Sequence, residues 1–125
     1  MSLDHLGIST KDYDVSRAFY EKALAPLGIT PMMVFDNEGG RTTGFGDTNP
    51  FLWIGDGGIV TGRLHIALSA KTRAEVDAFY AAAMAAGGRD NGAPGLRPHY
   101  HPTYYGAYVL DPDGHNIEAV CHGPA

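Results

Sequence analysis

Short runs in which apolar and polar residues alternate one for one, cut by glycine or proline, predict much of this chain as strands, and two longer runs repeat at helical spacing. In Leu3-Asp4-His5-Leu6-Gly7-Ile8-Ser9, Leu6 and Ile8 share one side and His5, Gly7 and Ser9 the other. Val15, Ala18, Phe19, Ala23 and Leu24 then fall near helical spacing, and Pro26 with Gly28 stops the run. Three more strands are predicted at Thr30 to Phe35, Arg41 to Gly46 and Phe51 to Ile54.

The pattern then restarts. Arg63 to Ser69 reads as a strand, and Thr72-Arg73-Ala74-Glu75 as a capping box that opens a helix with Val76, Phe79, Tyr80 and Ala83 on its apolar face and Gly87-Gly88 at its end. At an offset of 60 residues His5 meets His65, Ser9 meets Ser69, Ala18-Phe19-Tyr20 meets Ala78-Phe79-Tyr80, and Gly28 meets Gly88. We read a duplicated βαβββ unit, with modules at about 1–58 and 59–125 forming one domain, as expected of a chain of 125 residues. From Arg89 to Thr103, Gly92, Pro94, Gly95, Pro98 and Pro102 break any period, which predicts a short edge strand and a loop.

The final stretch carries the chemistry. Asp111-Pro112-Asp113-Gly114 has Pro at the second and Gly at the fourth turn position, so the runs on either side are predicted to form a hairpin about a type I turn. In its returning strand Ile117, Ala119 and Cys121 share one face, and Asn116, Glu118 and Val120 the other. Glu118 thus projects from a largely apolar strand, where a carboxylate is costly unless it is paired, protonated, solvated in a cleft or bound to a metal. If the two units pair about a pseudo-twofold axis, His5 and His65 can face each other across a cleft. Two imidazoles and one carboxylate leave coordination positions open, which suits Fe(II) or Mn(II) better than a closed structural zinc site.

Nine basic against fourteen acidic residues give a net charge of −5, which disfavours a nucleic-acid backbone as partner. The opening residues lack a basic and then apolar leader, and no apolar run is long enough to span a bilayer, so a cytoplasmic protein with no membrane partner is expected. Cys121 is the only cysteine, which rules out a disulfide within the chain.

The strand openings Asp4-His5-Leu6-Gly7-Ile8 and Leu64-His65-Ile66-Ala67-Leu68, the paired βαβββ pattern and the ending Asp111-Pro112-Asp113-Gly114-His115-Asn116-Ile117-Glu118 resemble the vicinal oxygen chelate superfamily. It includes glyoxalase I, extradiol dioxygenases, fosfomycin-resistance enzymes and bleomycin-binding proteins. The resemblance covers nearly the whole chain and implies an α+β fold, with two tandem βαβββ modules forming a curved, cup-shaped mixed sheet. It further implies a homodimer and a divalent metal ion, Fe, Mn, Ni or Zn, held by His5, His65 and Glu118. The implied activity is dioxygenase or lyase/isomerase chemistry on a small molecule that chelates the metal through neighbouring oxygens, and the alternative is a drug-binding protein of the bleomycin-resistance type. Fold sharing does not settle reaction. Glyoxalase I carries a fourth ligand, a glutamate, near the place of Trp53, which cannot serve as one.

Trp53 and Phe51 are expected to line the substrate cleft, Arg97 to clamp an anion, and His101 and Tyr105 to act beside the metal, His101 as acid or base because imidazole titrates near neutrality. His99 is read as a solvent-facing loop residue, and His115 and His122 as surface residues. No phosphate-cradling glycine loop with Lys, nucleophile elbow or paired Cys is present.

Overall fold

A computed structural model describes residues 3–60 and 63–124; Met1 and Ser2, part of the start read above, lie outside it. Strand β1 (Leu6–Ser9), helix α1 (Tyr13–Ala23), a 3-10 turn (Ala25–Leu27) and strands β2 (Thr30–Asn37), β3 (Gly40–Gly46) and β4 (Pro50–Gly55) form the first module. The second holds β5 (His65–Ser69), α2 (Arg73–Ala85), β6 (Arg89–Leu96), β7 (Tyr105–Leu110) and β8 (Asn116–Cys121). Each module carries its own four-stranded mixed sheet, in the orders β1-β4-β3-β2 and β5-β8-β7-β6, so the expected α+β pair of βαβββ modules is the observed architecture.

The duplication extends to single hydrogen bonds. Thr10 N donates to Gly55 O at 2.9 Å in the first module and Ala70 N to Val120 O at 2.8 Å in the second. In each module the first strand runs parallel to the fourth, Gly7 beside Trp53 and Ala67 beside Glu118. Counted from these pairs, Trp53 and Glu118 are equivalent positions.

One face of each sheet is buried under the helices. Leu52 and Ile54 of β4, Val109 of β7 and Ile117 and Ala119 of β8 join Phe19, Tyr20, Val76 and Phe79 in a single core that spans both modules. Helix α1 is capped by the Asp12 carboxylate, which accepts from Val15 N at 3.2 Å. Helix α2 is capped by Thr72, whose Oγ1 accepts from Glu75 N at 3.1 Å. The buried stripe of α1 is Tyr13, Ser16, Phe19, Tyr20 and Ala23, whereas Val15, assigned to it from spacing, is 51% exposed. Hydropathy misplaces the stripe because its ends are polar-tipped. The Tyr13 hydroxyl bonds Thr43 Oγ1, and the Tyr20 hydroxyl donates to Asp111 Oδ2 at 2.5 Å.

The Asp111–Gly114 turn closes as predicted, with Gly114 N donating to Asp111 O at 2.9 Å. It also ties the modules together. Asp111 Oδ1 accepts from Asp113 N and His115 N, and Asp113 reaches Lys11 N at 3.3 Å and Ser16 Oγ at 3.4 Å at the start of α1. His115, read as a surface residue, is 3% exposed, because its Nδ1 accepts from Leu64 N and joins the turn to the entry of β5.

The segment after α2 is more regular than its glycines and prolines suggest. β6 runs for eight residues along β7, with register shifts at Asp90/Gly92 and Gly92/Gly95 that take up the irregular residues as bulges. Among the described residues no helix is long and apolar enough to cross a membrane.

Candidate functional site

The faces turned away from the helices differ in chemistry. On the first sheet the outward positions include Trp53 of β4 and, across Gly44 of β3, Met33 and Phe35 of the edge strand. Trp53 stacks on Phe35 with ring centroids 5.9 Å apart and planes at 21°. A side chain at Gly44 would meet the Trp53 ring at 2.8 Å, so the indole lies where strand β3 leaves it room. Around Trp53 this face is apolar.

On the second sheet the corresponding positions are polar. Glu118 is 1% exposed and lies beside Tyr108 of β7. Its Oε1 is 2.8 Å from His65 Nε2, and its Oε2 accepts from the Tyr104 hydroxyl. A buried carboxylate is tolerable here because both its oxygens are bonded, one of them by an imidazole that is itself 55% exposed. Burial and the bond to Glu118 push the Tyr104 phenol well up, and burial raises that of Tyr108. Both stay protonated at neutral pH, and Tyr104 acts as donor.

Arg97 sits over the Tyr108 ring, with its guanidinium carbon 5.3 Å from the centroid, and is braced by Nη2 donating to Ala93 O at 2.7 Å. A cation thus stands at the rim of the His65–Glu118 face.

His5, Phe51 and Leu6 line a cleft of 180 Å³ at the seam between β1 and β5, with Ile66, Ala67 and Leu68 of the second module among its walls. His5 itself is 61% exposed, and its Nδ1 is 2.6 Å from Asp4 Oδ1. Within one chain His5 does not join His65 and Glu118. Among the described residues, Asp111, Asp113 and His115 are the group whose ligand atoms all lie within 4.8 Å of one another. That cluster is a possible metal-binding group by composition, but Asp111 has both oxygens bonded and His115 Nδ1 is an acceptor for Leu64 N.

Tyr105 lies on the opposite face from Glu118. Its hydroxyl donates to Asp77 Oδ1 of α2 at 2.6 Å, and Arg73 covers its ring. Strand alternation puts Tyr104, Gly106 and Tyr108 on the Glu118 side instead.

His101 pairs with His122, Nε2 to Nδ1 at 2.7 Å. Because Thr103 N donates to His101 Nδ1 at 3.2 Å, the His101 proton sits on Nε2 and is given to His122, so His101 has no free lone pair in this arrangement. The edge of Tyr104 rests against both rings. His99 packs on Tyr100, 4.2 Å between ring centroids.

Three residues of this face, Tyr104, Tyr108 and His122, were not anticipated. The first two follow from the observed ladder and not from the turn alone: a two-residue turn would pair Leu110 with His115, whereas Asp111 N donates to His115 O and the ladder pairs Leu110 with Asn116 and Tyr108 with Glu118. Nothing local marks His122 as a partner of His101.

No curated protein matches the chain. Solved structures do. A glyoxalase/bleomycin resistance protein from Albidiferax ferrireducens is 28% identical with a TM-score of 0.68, covering 94% of this chain and 96% of that one. The genomically encoded fosfomycin resistance protein FosX of Listeria monocytogenes is 20% identical with a TM-score of 0.70, covering 97% and 93%. A mutant glyoxalase I from Zea mays, 20% identical with a TM-score of 0.72, is matched over 94% of this chain but 43% of its own. The latter two likenesses speak for the fold alone. The profile of the Glyoxalase/Bleomycin resistance protein/Dioxygenase superfamily matches residues 2–119, nearly the whole sequence, and the chain belongs to that superfamily.

Proposed function

We propose that this protein is a divalent-metal-dependent enzyme of the glyoxalase/extradiol dioxygenase type, with His65 and Glu118 holding the ion and His5 of a second copy completing the set in a homodimer. The observation that carries the reading is the buried Glu118 carboxylate, turned to the outer face with Oε1 2.8 Å from His65 Nε2. An anionic oxygen and an imidazole nitrogen on adjacent strands are suitable donors for Fe, Mn, Ni or Zn, and fewer than four protein ligands leave room for a substrate.

When bound, the ion supplies Lewis acidity toward neighbouring oxygens of a small substrate. The chain's own residues do the rest. His65 and Glu118 fix the place of the positive charge, and the Arg97 guanidinium at the rim attracts an anionic group on the substrate. Trp53, Phe35 and Met33, from the facing sheet of the second copy, wall the site with apolar surface and exclude water. Ring cleavage of a diol by dioxygen and lyase or isomerase chemistry both suit such a site.

Elemental analysis of the purified protein tests this. Stoichiometric divalent metal that disappears in Glu118→Gln supports it, and protein that never carries metal under any loading sinks it. The stacked Trp53–Phe35 pair, Phe35 exposed and Trp53 half-buried, favours a second reading, a protein that binds an aromatic drug or metabolite without turning it over. Metal-free protein that still binds an aromatic ligand would select that one.

A further inference from the structure

We infer that Tyr104 is the positioning residue for Glu118, and that Gly106 exists to let it reach. The inference rests on the reading of His65 and Glu118 as holders of the ion. Tyr104 precedes β7 and lies on the Glu118 face two positions before Gly106, whose own neighbour across the ladder is Val120. To touch Glu118, the Tyr104 ring must lie along the strand across the place where a side chain at 106 would stand. A Cβ built on Gly106 would sit 3.2 Å from Tyr104 Cε1 and 3.3 Å from Glu118 Oε2, tighter than most such contacts, so the phenol and the carboxylate would have to give way by a few tenths of an ångström. Glycine at 106 thus leaves the lane between the phenol and the carboxylate uncrowded.

The division of Glu118 follows from this contact. Oε2 is held by the Tyr104 hydroxyl, so Oε1, the oxygen beside His65 Nε2, is left to face the ion. Such outer hydrogen bonds fix the orientation of a ligating carboxylate, and their removal costs about 10–100-fold in metal affinity. Tyr104 is itself held. Its ring packs on Tyr100 at 4.8 Å and edge-on against His101 and His122, 5.4 and 5.3 Å between centroids. This aromatic bed keeps the phenol aimed along the strand and gives the His101–His122 pair a role as its support.

Metal-free protein titrated with Co(II), followed by the visible absorption of the bound ion, tests the assignment without any substrate. Tyr104→Phe should bind Co(II) about 10–100-fold more weakly and with a changed spectrum, since Glu118 is freed to offer both oxygens. Gly106→Val, which keeps the phenol and blocks the lane, should do the same. Tyr105→Phe, on the other face of the strand, should bind as wild type does, and circular dichroism of each variant checks the fold. Wild-type affinity and spectrum in Tyr104→Phe would overturn the role of Tyr104 and leave the metal reading standing. A wild-type protein that takes up no Co(II) would overturn that reading, and this inference with it.

Discussion

Trp53 and Glu118 hold the same place in two copies of one unit, Trp53 beside Gly7 on β4 and Glu118 beside Ala67 on β8. Their cross-strand partners have exchanged size accordingly. Trp53 faces Gly44, whereas Glu118 faces Tyr108. Duplication thus yields one apolar and one polar face from a single scaffold.

Gly44→Ala tests how closely Trp53 depends on its partner. The added carbon would meet the indole at 2.8 Å and also Pro50 Cβ at 2.9 Å, so the ring must move. Overpacking of this kind costs about 1–3 kcal/mol. Since Trp53 is the only tryptophan, its emission should shift, and a thermal melt should fall in parallel.

Among the described residues the His65–Glu118 pair and the Asp111–Asp113–His115 cluster compete as metal holders, and a pair of variants separates them. Asp113→Ala leaves His65 and Glu118 untouched and removes a member of the Asp111–Asp113–His115 cluster. Its expected result is unchanged metal content by elemental analysis, with a small loss of stability from the bonds to Lys11 and Ser16. Retention of metal in Glu118→Gln and its loss in Asp113→Ala would move the ion to the turn.

Whether sites form between copies can be read from mixing. His5→Ala and Glu118→Gln should each lack metal when pure. Co-refolded in equal amounts, they should regain about one site in four, because random pairing makes half the dimers mixed and one of the two sites in each mixed dimer intact. No recovery would place all ligands of a site in a single chain.

Alkaline stability should report on Tyr20. Burial, and after it the neighbouring Asp111, push the Tyr20 phenol well above its usual range, so the native chain resists an ionisation that the unfolded chain undergoes near pH 10. The stabilisation from this group is fully present below about pH 10 and is lost as pH rises beyond it. Tyr20→Phe should flatten that alkaline decline in urea denaturation. At neutral pH it should cost about 1–3 kcal/mol, because Asp111, 2% exposed, loses a donor.

Strand alternation, the Thr72 cap of α2 and the Asp111–Gly114 turn were legible because each depends on residues close in sequence, and the repeat because both copies kept the same residues at one offset. The alternation that set Glu118 opposite Ile117 and Ala119 is the one observed, since Ile117 and Ala119 join the core while Glu118 meets His65 and Tyr104. The turn alone does not distinguish Tyr104 from Tyr105: a two-residue loop would set Leu110 opposite His115 and Tyr105 on the Glu118 side, and the longer loop observed, with Leu110 opposite Asn116, sets Tyr104 there instead. Hydropathy ranks Val15 above Tyr13 and Ser16, whose hydroxyls find partners only after folding. Nothing local marks His115 as buried, because its partner, Leu64 N, lies 51 residues away.

The sequence by itself determined the duplicated α+β units, through the repeat at an offset of 60, and which side chains share a face within one strand, through the two-residue period. Only the tertiary structure decided that His65 and Tyr104 meet at Glu118, that His101 is committed to His122, and that His5 is beside Asp4. The contacts at Glu118 arise where separate strands are laid side by side, and no local period encodes the distance between side chains that the ladder brings together.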